Sequence, residues 1–208
     1  MRNACSVRSP PTPAELLVVV DAIDIALRVA RALDAVGVAY FLGGSLASSL
    51  EGEPRATNDI DFVIELSEGQ VDAFSRALGA DFEVDEEALR RAAQARASDN
   101  VFFLPWATKI DLFIAGSAPF DRSELGRRRW VEVRPGAGLY VKSAEDSVLR
   151  KLLWFQMGGP VSGNQWRDVV ELLRVGAGAL DAGYLDGWAP RLGVEGLLLR
   201  AREEADLR

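Results

Sequence analysis

The segment "DIDFVIEL", residues 59–66, alternates acidic and apolar side chains with a period of two. That period is the signature of a strand with one buried face. Ile60, Phe62 and Ile64 point to one side; Asp59, Asp61 and Val63 point to the other. Two carboxylates at i and i+2 stand ~6–7 Å apart at their Cα atoms, from a rise of ~3.3 Å per residue. They repel unless a cation lies between them. The segment therefore requires a sheet that is buried on one face and open on the other. A solvated strand face meets the same requirement without a ligand.

A second segment repeats the design. In "KIDLFIA", residues 109–115, Asp111 stands opposite Ile110, Leu112 and Ile114. If the two strands are neighbours, Asp59, Asp61 and Asp111 form a cluster that is electrostatically costly without metal. Such a cluster meets the needs of two-metal phosphoryl transfer, in which one metal activates the attacking hydroxyl and the other holds the triphosphate. Asp111, nearest the attacking group, is the candidate general base.

Composition restricts the chemistry further. The 208 residues include no histidine and a single cysteine, Cys5. Histidine-assisted nucleophiles, histidine- or cysteine-held zinc and intrachain disulfides are excluded. Any metal must be held by oxygen, which selects magnesium or manganese, with calcium as a further oxygen-bound option. A net charge of −7 argues against non-specific coating of nucleic acid. The apolar run "LLVVV" is followed by Asp21, Asp24 and the charged stretch "IALRVARAL". That sequence is too polar for a secretory h-region or a membrane span, and a cytoplasmic protein is the expectation.

Upstream of the acids, "VAYFL" (38–42) reads as a strand and "GGSLASSL" as a tight turn entering a helix. A Gly-Gly turn lets backbone approach a ligand closely, and the helix start behind it favours anions. Gly43, Gly44 and Ser45 are therefore candidate phosphate holders, although a turn with unusual dihedrals also calls for glycine.

The remaining chain follows from periodicity and punctuation. Thr12, Pro13 and Glu15 suggest a capped helix start, with Leu16, Val20, Ile23, Leu27 and Ala30 as the apolar stripe to about Asp34. A helix is expected over 68–79, a weak strand at 81–84 and a charged helix at 85–97. Strand pairs are expected at 100–104 with 109–115 and at 128–133 with 139–142. From Ser143 the pattern becomes helical, with a stop at Gly158, Gly159 and Pro160, then helices near 163–175, 181–190 and 193–206. The expected fold is α/β (α+β): a mixed central sheet flanked by helices over 1–142, then a helical segment over 143–208. "RRR" (127–129) suits a charged edge strand. The five tryptophans are read as core residues.

The combination of "GGS" at 43–45, thirteen residues, "DID" at 59–61 and a later strand aspartate resembles the nucleotidyltransferase superfamily that includes DNA polymerase beta. "RATNDIDF" is similar to the bacterial minimal nucleotidyltransferases and to the nucleotidyltransferase toxins of abortive-infection toxin–antitoxin pairs. The resemblance spans 38–114. It implies transfer of a nucleoside monophosphate from a nucleoside triphosphate to a hydroxyl, with Mg2+ or Mn2+ held by Asp59, Asp61 and Asp111. It leaves the acceptor open among tRNA, protein and a small molecule such as an antibiotic, and it admits an antitoxin partner. "VKSAEDSVLRKLLW" and "QWRDVVELL" look like the segment after the sheet in those toxins, which implies site roles for Lys151 and Asp168. A structural Lys–Asp pair between two packed helices is the competing reading. Arg55 and Thr57, just before the acid pair, carry over as phosphate contacts or loop braces. A member of the same fold that binds nucleotide or protein without turnover is the alternative to an enzyme.

Overall fold

The computed structural model describes residues 21–51, 59–158 and 162–206. The expected Thr12 capping box lies outside them, as do Arg55 and Thr57. Helix α1 runs Ala22–Ala35 and is capped by Asp21, whose side chain accepts from the Asp24 backbone while Asp24 caps in return. Asp21 is extended, so the helix begins there and does not run through from residue 12.

Strand β1 (Tyr40–Leu42) leads through Gly43 into α2 (Gly44–Glu51). Strand β2 is Ile60–Ile64. Helix α3 (Val71–Leu78), β3 (Phe82–Glu83) and α4 (Glu86–Ala95) follow. Then come β4 (Ser98–Phe103), β5 (Thr108–Ile114), α5 (Pro119–Arg127), β6 (Arg129–Arg134) and β7 (Ala137–Val141). The chain closes with α6 (Ala144–Gln156), α7 (Ser162–Val175), α8 (Ala182–Leu192) and α9 (Glu195–Asp206).

Among the described residues, seven strands form one sheet in the order β3-β4-β5-β2-β1-β7-β6. The pairs β2–β5 and β1–β7 are parallel; the others are antiparallel. This is the mixed sheet that the two strand pairs and the acid-bearing strands require. The arginine run 127–129 leads into β6, which is an edge strand, as its charge suggested.

Apolar packing falls into two clusters. One joins α1, α3 and α4 to the inner sheet face, including Ile60, Phe62, Ile64, Ile110, Leu112 and Phe74. All six are buried, so the alternation read from both acid-bearing strands is realised. The second cluster joins α6, α7, α8 and α9 and also takes Phe120 from α5. Val148, Leu149 and Leu152 provide its α6 stripe.

The tryptophans depart from expectation. Trp106, Trp130 and Trp154 are exposed, whereas Trp166 and Trp188 pack against the helical cluster. Trp130 lies on the sheet edge over Gly138, where an added Cβ would stand 2.4 Å from its indole. Aromatic cover over a strand glycine compensates for its missing side chain.

Candidate active site

Residues 43–45 and 59–61 are joined by backbone. The Gly43 N–H donates to the Asp61 carbonyl at 2.8 Å. Gly44 has φ +61 and begins α2. A Cβ at Gly44 would lie 1.8 Å from Asp61 Oδ2. Both facts require glycine: a left-handed backbone, and a carboxylate pressed into the space a side chain would fill.

The parallel register sets Asp61 directly beside Asp111, flanked by Ile60–Ile110 and Phe62–Leu112. The predicted adjacency of the two acid-bearing strands is thus present. Burial raises the Asp61 pKa above the usual carboxyl value, with Asp111 and then Asp59 adding to the shift and Lys109 and Lys142 opposing it.

Asp61 and Asp111 are register partners, and Asp59 acts electrostatically on Asp61. Among the described residues, no three carboxylates converge as a ready ligand set for a metal ion. Asp111 instead pairs with Lys109, Nζ to Oδ2 2.8 Å. The Lys109 ammonium offsets part of the like-charge repulsion around Asp111. Donor chemistry still suits a hard divalent ion, since every side chain on this face that can ligate offers oxygen. Such an ion would offset the burial and the neighbouring acids that raise the Asp61 pKa.

Asp59 and Asp61 open onto a cavity of about 560 Å³, whose wall also includes Gly43, Gly44 and Ser45. Asp111, one strand further, is outside that wall. The opposite side is helical. It presents Lys151 and Trp154 from α6 and Gln165 and Asp168 from α7. Lys151 Nζ donates to Asp168 Oδ2 at 2.8 Å. The two residues are therefore a pair bridging packed helices and also part of the cavity wall.

Four further wall residues escaped sequence reasoning: Asp121, Glu124, Lys142 and Arg150. Lys142 follows β7 and pairs with Glu124 at 3.3 Å. Arg150 binds Glu124 and also Asp121, the latter at 2.8 Å. Glu124 and Lys142 are buried. Burial lowers the Lys142 pKa, Arg150 adds to that shift, and Glu124 opposes it. The only signals in the sequence were a lysine closing the strand "LYVK" and an arginine beside Lys151.

Among the described residues no helix is long and apolar enough to cross a membrane. No family model matches the chain, and no curated protein sequence does. Solved structures do. An antigenic nucleotidyltransferase-like protein from Paracoccidioides brasiliensis superposes with a TM-score of 0.54 at 18% identity, covering 88% of this chain and 93% of its own. The antibiotic-resistance factor ANT(2'')-Ia superposes with a TM-score of 0.50 at 18% identity, covering 88% of this chain and 98% of its own. Nearly the whole of each structure is matched, and this chain has the nucleotidyltransferase fold.

Proposed function

We propose that this chain is a metal-dependent nucleotidyltransferase. One observation carries the reading: Asp61, pressed against Gly44, stands in parallel register with Asp111 on the open face of the sheet. That arrangement couples a phosphate-binding turn to paired carboxylates, and a solvated strand face has no need of it.

An acceptor oxygen attacks the α-phosphorus of a nucleoside triphosphate. The new O–P bond forms as the bond to the bridging oxygen breaks, and pyrophosphate leaves. Asp111 takes the acceptor proton once its carboxylate turns from Lys109. Gly43, Gly44 and Ser45 hold the β and γ phosphates through backbone N–H groups and a hydroxyl. Lys151, kept in place by Asp168, faces the triphosphate from the helical wall. Asp59, Asp61 and Asp111 would hold Mg2+ or Mn2+, which supplies charge neutralisation and a more acidic acceptor hydroxyl.

The test supplies α-labelled triphosphates with magnesium to separate pools of tRNA, protein and antibiotic. The antibiotic pool is included because a structural neighbour is an antibiotic-resistance factor. Label should enter one pool with pyrophosphate release, and Asp61→Asn should lower the rate roughly 100-fold or more. A folded Asp61→Asn protein with undiminished transfer would falsify the mechanism.

A further inference from the structure

Trp154 is half exposed although it lies on a helix that otherwise contributes to a core. It stands three residues beyond Lys151, so the two side chains are neighbours on one face of α6. Both line the cavity that also holds Gly43, Gly44, Ser45, Asp59 and Asp61. The buried Lys142 ammonium lies 5.8 Å from the Trp154 ring centroid and 5.2 Å from that of Phe41. A cation held against an aromatic ring attracts the ring face and favours that placement. Lys142 is itself held by Glu124. The indole is therefore a braced, half-exposed flat surface in the cavity wall.

We infer that Trp154 is the nucleobase platform of this site. The inference rests on the nucleotidyltransferase reading, because it assigns the end of the cavity beyond the phosphate-holding residues. A triphosphate spanning the Gly43–Ser45 turn and Lys151 carries its base along the α6 wall. The first flat apolar surface on that wall is Trp154. Every base has a π face, so stacking here gives affinity for nucleotides as a class and discriminates weakly among bases. No backbone or amide group is needed for the contact, and the braced ring loses little freedom on binding.

The experiment compares magnesium-dependent binding of inorganic tripolyphosphate and of the four nucleoside triphosphates. It uses the full chain, Trp154→Ala and Trp154→Phe, with calorimetry as the readout. Trp154→Ala should weaken nucleoside triphosphates roughly tenfold, leave tripolyphosphate within about twofold, and retain the wild-type unfolding profile. Trp154→Phe should keep most of the nucleotide affinity while losing the nucleotide-induced quenching of tryptophan emission. Equal weakening of both ligands, or of neither, overturns the platform and leaves the nucleotidyltransferase reading intact. A wild-type protein that binds neither ligand overturns both.

Discussion

At neutral pH the Asp61 carboxylate is opposed by its surroundings. Burial and two neighbouring acids raise its pKa, so the fold favours its protonated form relative to the unfolded chain. The sign follows from proton linkage. Below the usual value of 3.8 the group is protonated in both states and costs nothing. As pH rises from there through the folded-state value, the native protein binds more protons than the unfolded one, and stability falls. Asp61→Asn should therefore melt higher than the wild type at pH 7 in the presence of a chelator. The gap should close as pH falls below 3.8, and calorimetric melts across pH measure it. A residue that weakens the empty fold is the pattern expected of a functional position. The adjacency behind this effect was legible in the sequence, because "DIDF" and "IDLF" each oppose one acid to apolar neighbours. Lys109 was not read as the counter-ion of Asp111, although it sits two residues away on the same strand face.

Elements meet at the Glu124 carboxylate. Helix α5 supplies Asp121 and Glu124, the end of β7 supplies Lys142, and α6 supplies Arg150. Glu124 is the shared anion between two cations. Glu124→Ala would leave Lys142 and Arg150 facing each other without it, at a cost of about 3–5 kcal/mol. Lys142→Met keeps the Arg150–Glu124 pair and fills similar space, so it should cost less. Denaturant midpoints for the two variants check the order, and equal midpoints would refute it. This network was illegible beforehand because its members lie on three elements without a common period. Strand and helix positions came from local periodicity, whereas these contacts come from packing. Trp154 failed for a related reason: its residue type predicts burial, and only the fold places it on a cavity wall.

At the scale of the whole molecule, contacts cross the expected division at residue 142. Phe120, before that boundary, belongs to the helical cluster and packs at a tilt against Trp188, ring centroids 5.2 Å apart. The Glu124 network crosses the same boundary, and the cavity takes wall residues from both sides of it. The chain should therefore unfold in one cooperative transition, with far-UV circular dichroism and tryptophan fluorescence superimposing. Two separated transitions would mark 1–142 and 143–208 as independent units. The sheet adds a consequence for behaviour at high concentration. One of its edges, β3, is two residues long. The other, β6, carries Arg129, Glu132 and Arg134 and an irregular register between Glu132 and Arg134. Neither edge is a good template for a strand from a second molecule. Edge-to-edge pairing of folded molecules through β3 or β6 is therefore disfavoured.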